Sequence, residues 1–307
     1  MTLKKKVKIK YQEVVFCLFG RSLNVSEVTD KIGISPDIVS QGYYKSWIMK
    51  SHAPGKSSYV TRMEYILEQI KDRKRHIQQL LKDFEGAIFI VNQPAEDIYY
   101  RCYALPSYLV NEFASLGIDI HITTIWDIHK EFKIYPDSDY PINCCVKRKH
   151  KKICLNKPFD TRWNVFLVIL DRNLNPDEIT KTLNITPDST SKRGEILFKT
   201  DKITRRSKMG TWRLYSYKRR NETATAHILD IYEQIKDSKN ALKRILKRND
   251  IRGDLSICFG PHHEKIFTNY FLSSELFKKF VALGLDIELM VWNPRARYML
   301  SKELGKV

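Results

Sequence analysis

The sequence predicts an α+β fold of two similar units, each an antiparallel or mixed sheet with helices packed on it. Three observations carry that expectation. Leu23 to Asp37 returns as Leu174 to Asp188 at a constant offset of 151, with seven of fifteen residues identical. Within each copy, apolar runs of strand length alternate with segments of three- and four-residue apolar spacing. A content of 43% hydrophobic and 11% aromatic residues in 307 is enough to fill two cores.

The offset widens along the chain. It is 165 between Glu68-Gln69-Ile70-Lys71-Asp72 and Glu233-Gln234-Ile235-Lys236-Asp237, and between Trp47 and Trp212; it is 167 between Ser115 to Ile120 and Ala282 to Ile287. The second copy therefore holds fourteen extra residues, the growth from 151 to 165, between Pro187 and Trp212. The expected organisation is a first unit over 1–130, a basic, cysteine-containing linker over 131–160, a second unit over 161–293 and a tail over 294–307.

Element by element, each copy opens on a short apolar run, Val14 to Phe19 and Asn164 to Leu170, expected as a strand covered on both faces. A helix follows. Asn24 and Asn175 suit its N-cap with Glu27 and Glu178 three residues on, Pro176 suits its first turn, and Gly33 and Asn184 suit a left-handed stop before Pro36 and Pro187. In the second copy Glu195 to Lys199 and Thr211 to Lys218 read as hairpin strands around a long basic loop, shortened in the first copy. A long amphipathic helix comes next, through Met63, Ile66, Ile70, Ile77, Leu80 and Phe84 in one copy and Ile228, Ile231, Ile235, Leu242, Ile245 and Leu246 in the other. Gly86 to Val91 and Asp254 to Phe259 read as strands. Helices follow over Pro106 to Leu116 and Ser274 to Leu283, stopping at Gly117 and Gly284, and last strands run over Ile118 to Ile125 and Leu285 to Trp292. The order is β-α-β-β-α-β-α-β per copy.

Several classes of protein are disfavoured. Lys4, Lys5, Lys6, Lys8 and Lys10 before Val14 to Gly20 mimic a secretion signal, yet the same apolar run recurs internally at Val165 to Leu170, so both are expected to be strands. No apolar stretch approaches the ~20 residues that span a bilayer. Six cysteines scattered over the chain suit reduced thiols of a cytoplasm.

A family resemblance rests on Trp163 to Leu170, Asn175-Pro176-Asp177-Glu178-Ile179, Ile185-Thr186-Pro187, Lys192-Arg193-Gly194, Gly210-Thr211-Trp212 and Leu283-Gly284-Leu285-Asp286-Ile287. These residues resemble domain of unknown function 4279, a bacterial family whose membership implies a fold and no assigned activity. The first copy resembles it through Asn24, Glu27, Pro36, Trp47, Leu116, Gly117 and Asp119, with Ser40-Gln41-Gly42 in place of the Lys-Arg-Gly segment.

Charge is the most informative functional feature. The formal net charge is +18, and the excess is concentrated. Residues 1–10 hold five Lys and no acid, residues 147–157 six Lys or Arg and no acid, and residues 190–220 eleven basic against two acidic residues. Such clustering points to a polyanion. If Trp212 and Leu214 face the core, then Arg213, Tyr215 and Tyr217 face outward, so cations and rings share a surface suited to single-stranded nucleic acid. Lys192, Arg193, Lys202, Arg205, Arg206 and Lys208 would add phosphate contacts, as would Lys147, Arg148 and Lys149 of the linker.

Other chemistry is poorly supported. Cys144 and Cys145 with His150 and Cys154 lack the paired spacing of a zinc site. His262-His263-Glu264 lacks the helical His-Glu-x-x-His geometry and aligns with Ala95, Glu96 and Asp97. Phosphate-loop, dinucleotide-turn and nucleophile-elbow motifs are missing. Asp119 and Asp286, shared by both copies, read as turn residues rather than a nuclease's metal-binding carboxylates; Trp47 and Trp212 read as core anchors. The expected function is a non-catalytic binding protein without cofactor or metal, whose basic hairpin surface meets RNA or DNA. An inhibitor or immunity-type module with an acidic protein partner is the second reading, and an unrecognised enzyme the third; no membrane partner is expected.

Overall fold

The two apolar runs that open the halves of the sequence become central strands, each hydrogen-bonded to a neighbouring strand on both sides; the first run is buried on both faces, whereas Phe166 and Leu170 of the second are half-buried. The structure is a computed structural model that describes residues 9–41, 44–55, 57–94, 100–125, 161–199, 204–219, 222–248, 250–261 and 267–292. The first half runs β1 (Ile9–Gly20), α1 (Val25–Ile32), β2 (Ile38–Gln41), β3 (Lys45–Lys50), α2 (Tyr59–Ile70), α3 (Lys74–Leu80), β4 (Glu85–Pro94), β5 (Tyr100–Leu105), α4 (Ser107–Leu116), β6 (Asp119–Ile125). The second runs β7 (Thr161–Asp171), α5 (Pro176–Leu183), β8 (Ser189–Ser191), β9 (Ile196–Lys199), β10 (Thr204–Arg206), β11 (Gly210–Tyr215), α6 (Ala224–Ile235), α7 (Lys239–Leu246), β12 (Arg252–Pro261), β13 (Phe267–Leu272), α8 (Ser274–Val281), β14 (Asp286–Trp292).

The fold is α+β, with two mixed six-stranded sheets and packed helices. One sheet has the order β13-β6-β4-β1-β3-β2 and the other β5-β14-β12-β7-β11-β8. In each, one pair is parallel, β4 with β6 and β12 with β14, and the rest are antiparallel.

Both sheets recruit an edge strand from the opposite half. β5 lies antiparallel to β14, with Leu105 opposite Ile287, and β13 lies antiparallel to β6, with Leu272 opposite Ile120. The sequence pattern did not show these two strands, nor the three-residue β8 and β10. Helix length bars an antiparallel pair of β5 with β6. α4 starts one residue after β5 and its ten residues span about 15 Å, which separates the end of β5 from the start of β6. The end of β5 instead meets the start of β14, where the Ser107 N–H donates to Asp286 Oδ1 at 2.8 Å. The reciprocal bond runs from the Ser274 N–H to Asp119 Oδ1 at 2.7 Å. Asp119 and Asp286 thus accept from the first N–H of the other half's helix, a site where negative charge is favoured; neither is a simple turn residue. α4 and α8 pack on each other across this seam.

The amphipathic stretch expected as one long helix is two. A 3-10 turn over Lys71–Arg73 separates α2 from α3, and one over Lys236–Ser238 separates α6 from α7. At each break a side chain reaches back to a carbonyl at the end of the first helix of that half: Arg73 Nε donates to Ile32 O at 2.5 Å, and Ser238 Oγ to Leu183 O at 2.6 Å. Those carbonyls lack intrahelical partners. The apolar spacing from Ile70 to Ile77 stays in phase through the turn, which is why periodicity alone showed no break.

The N-cap asparagines and left-handed stops are as the sequence suggests, while the Glu27 and Glu178 carboxylates bond Lys31 and Arg248. Asn24 Oδ1 accepts from the Ser26 N–H at 3.1 Å and Asn175 Oδ1 from the Asp177 N–H at 3.2 Å. Gly33 (φ 68°) and Asn184 (φ 54°) are left-handed. Trp47 and Trp212 are fully buried. Their Nε1 groups donate to Thr29 Oγ1 at 3.2 Å and Thr180 Oγ1 at 3.1 Å, locking the helix of each half over its sheet. One contiguous core joins the halves, with Phe16, Trp47, Tyr103 and Phe113 in the same cluster as Leu167, Trp212, Phe280 and Leu289.

Candidate nucleic-acid interface

Strand alternation gives each sheet a second face, turned away from the helices, and the two faces differ in chemistry. On the first sheet Val15, Cys17, Phe19, Ile48, Ala87 and Phe89 form a separate buried apolar cluster. At the sequence offsets found above, the second sheet has Phe166 for Val15, Val168 for Cys17, Arg213 for Ile48, Asp254 for Ala87 and Ser256 for Phe89. Trp212 and Leu214 are buried, so the alternate residues Arg213 and Tyr215 emerge half-buried on this face. Phe166 is half-buried as well, its ring centroid 5.3 Å from that of Tyr215. Phe166 was not among the residues singled out from the sequence, although its place between core-facing Val165 and Leu167 is a period-two signal that could have found it.

The basic hairpin is wired differently from the expectation. β9 pairs with β10 as a separate two-stranded sheet, while β11 joins β7 and β8 in the main sheet. The reason lies at the hairpin base. Gly194 (φ 84°) donates its N–H to Ser207 O at 2.8 Å, and the Ser207 N–H returns a bond to Glu195 O at 2.8 Å. β10 is thereby placed against β9, and residues 207–209 carry the chain on into β11. Gly210 at the start of β11 has no room for a side chain, since a Cβ would lie 2.5 Å from Leu174 O.

Lys192, Arg193 and Arg206 gather at this base. Lys192 Nζ donates to Asp177 Oδ2 at 2.8 Å and Arg206 Nη1 to Gly194 O at 2.8 Å; Arg193 and Lys208 are exposed. Beyond β11 Tyr217 is 68% exposed, and its N–H donates to Asp230 Oδ2 at 2.7 Å. Ile196, Leu197 and Met209 are exposed apolar residues of the arm, which charge counting did not flag. Arg205 lies on β10, but its side chain is outside the described residues, as are Lys202, Lys147, Arg148 and Lys149. Cys144, Cys145, His150, Cys154, His262, His263 and Glu264 are outside them too.

Three polar clusters bear on possible chemistry. Glu288 Oε1 accepts from Cys102 Sγ at 3.1 Å and Oε2 from Ser256 Oγ at 3.0 Å, and Arg252 Nε bonds Asp254 Oδ1 at 2.8 Å. Burial lifts the Asp254 carboxyl to about 6 against the pull of Arg252. Burial, then the charge of Glu288, pushes the Cys258 thiol up to about 12, so it stays protonated. His227 Nδ1 lies 3.0 Å from Ser216 Oγ, which donates to Asp230 Oδ2 at 3.0 Å. This is not a nucleophilic triad, because the carboxylate meets the serine rather than the imidazole. His227 Nε2 meets Arg219 O at 3.0 Å; at the equivalent position of the first half, Arg62 donates to Gly55 O and Ser57 O. Both residues pin the loop before the helix. Finally, among the described residues no group of three or more His, Cys, Asp or Glu is arranged to hold a metal, and no helix is long and apolar enough to cross a membrane.

No curated protein matches the chain. Residues 161–294 match the family described as Domain of unknown function (DUF4279). The matched span is the second half, which carries the hairpin and the aromatic sheet face.

Proposed function

We propose that the chain is a bacterial, cytoplasmic, non-catalytic nucleic-acid-binding protein built as a tandem of two DUF4279-like units. Division of labour between the halves supports this reading, and one observation carries it. Where the first sheet has a buried apolar face, the second offers Phe166, Tyr215 and Arg213 beside a hairpin bearing Lys192, Arg193, Arg206 and Lys208. Rings that stack on any base and cations that meet phosphate suit a single strand of RNA or DNA.

The test is binding of a mixed-sequence single-stranded oligonucleotide across a salt series. Affinity should fall steeply with salt, and Arg206→Glu with Arg213→Glu should flatten the slope. Tyr215→Ala should weaken binding by about 1–3 kcal/mol at every salt concentration. Absence of binding at low salt overturns the proposal.

The exposed Ile196, Leu197 and Met209 favour a second reading, an acidic protein partner docked on the arm. That reading requires a complex that survives nuclease treatment and is lost on Leu197→Ser.

A further inference from the structure

The helical side of the second half carries a cationic ridge. α7 contains no acid, and Lys243, Arg244, Lys247 and Arg248 on or just beyond it are all exposed. Lys278 and Lys279 of α8 are exposed as well. Tyr232 joins the two helices electrostatically, with Lys239 Nζ 4.5 Å and Lys279 Nζ 5.1 Å from its ring centroid.

The first half supplies an internal control. At the equivalent positions it has Gln78, Gln79, Lys82, Asp83, Asn111 and Glu112, so six cations face one cation, two anions and three neutral residues. The fold of a unit therefore does not require the ridge. Nor does helix stability favour it, since Lys239, Lys243 and Lys247 repeat at four-residue steps, as do Arg244 and Arg248, and like charges at that spacing repel. The local field is visible in Glu233, whose carboxyl is held below its ordinary value by Lys236, bonded at 2.7 Å, and by Lys239 and Lys279.

The ridge also connects to the hairpin. Arg248 Nη1 bonds Glu178 at 3.0 Å and Lys192 bonds Asp177 at 2.8 Å, so the two basic regions approach each other at the first turn of α5, whose two carboxylates these cations neutralise.

We propose that the α7–α8 ridge is a second phosphate-backbone contact, which a nucleic-acid strand reaches by passing from the hairpin around the start of α5. The inference rests on the nucleic-acid reading above and extends its footprint to the opposite side of the second sheet. The occupant must be a long polyanion, because a short anion would engage one basic region only.

The experiment uses the full chain and a single-stranded oligonucleotide of about 30 nucleotides, long enough for more than one patch. Lys243→Gln with Arg244→Gln installs the glutamines of the first half, so loss of fold is not the expected result, and thermal unfolding checks it. The slope of log affinity against log salt should fall by about 1.4, at roughly 0.7 per phosphate released. An oligonucleotide of about 8 nucleotides should show a smaller change on the same substitution.

Unchanged slope and affinity in this variant, with binding lost on Arg206→Glu and Arg213→Glu, overturn the ridge and leave the hairpin reading standing. Loss in the ridge variant with no effect of the hairpin substitutions keeps the ridge as a phosphate contact and overturns both the hairpin reading and the proposed passage from it. Absence of wild-type binding sinks both. Equal competition by polyglutamate and by the oligonucleotide would mark the ridge as a contact for acidic protein and overturn the assignment to nucleic acid.

Discussion

Two titratable groups shifted by desolvation pull the stability of this chain in opposite directions over the same pH range. Asp254 has a folded value near 6 against 3.8 when free, chiefly from burial. Between about pH 4 and pH 6 the folded state keeps a proton that the unfolded state has lost, so this carboxyl lowers stability as pH rises. His121, packed 4.6 Å from Phe89, is lowered by burial to about 4 from 6.5. There the unfolded state holds the extra proton, so stability rises with pH over nearly the same window. Asp254→Asn should therefore unmask the histidine, and stability at pH 6 should exceed that at pH 4 by up to about 3 kcal/mol. His121→Phe should give the opposite slope. Urea unfolding of both variants at the two pH values checks this, and parallel profiles would contradict it. Gly210 sets a different limit. Its Cβ would meet the backbone oxygen of Leu174 rather than a movable side chain, so Gly210→Ala should cost about 2 kcal/mol or more, read as a lower urea midpoint.

Helix ends and strand partners are where the elements depend on one another. Asp119 and Asp286 each accept the first backbone N–H of a helix from the other half. Replacing either by Ala removes a cap, at about 1–2 kcal/mol. The losses should be similar in size because the arrangement is reciprocal, and equilibrium unfolding of the two single variants measures them. The residue patterns that mark strands and caps were legible in the sequence where alternation or capping chemistry is local, as at Asn24, Asn184, Trp212 and Arg213. They were illegible at β5 and β13, which are short, partly polar and followed at once by a helix. The hairpin showed a related limit: basic composition marked the segment, but the Gly194–Ser207 contact decided that β9 pairs with β10.

Reciprocal exchange of edge strands should make the two sheets unfold as one cooperative body. Tyr103 on β5 is fully buried, its hydroxyl 2.8 Å from Thr124 Oγ1 of β6, while its backbone stands opposite Leu289 of β14. Tyr103→Ala should cost about 3–5 kcal/mol as a large buried aromatic. It should also lower amide hydrogen-exchange protection in β6 and β14 together. Protection lost in one sheet alone, or two separate unfolding transitions in the wild type, would contradict a shared core. The division between an apolar face on one sheet and an aromatic, charged face on the other is a property of the same body, since each sheet contains a strand from both halves.

Local periodicity was enough to mark most of the strands and helices, the buried tryptophans and the outward turn of Arg213 and Tyr215. Such features depend on which side of one element a residue faces, and that is written in spacing along the chain. Partner choice is not written there. β5 presents the same alternation to either sheet; the roughly 15 Å that α4 places between the end of β5 and the start of β6 bars an antiparallel pair within the half, and the Ser107–Asp286 bond holds the end of β5 at the start of β14. The same holds for the surfaces. Phe166 meets Tyr215 across a strand pair, and Lys239 meets Lys279 over Tyr232 across two helices. Charge counted in consecutive windows does not register cations that only packing brings side by side.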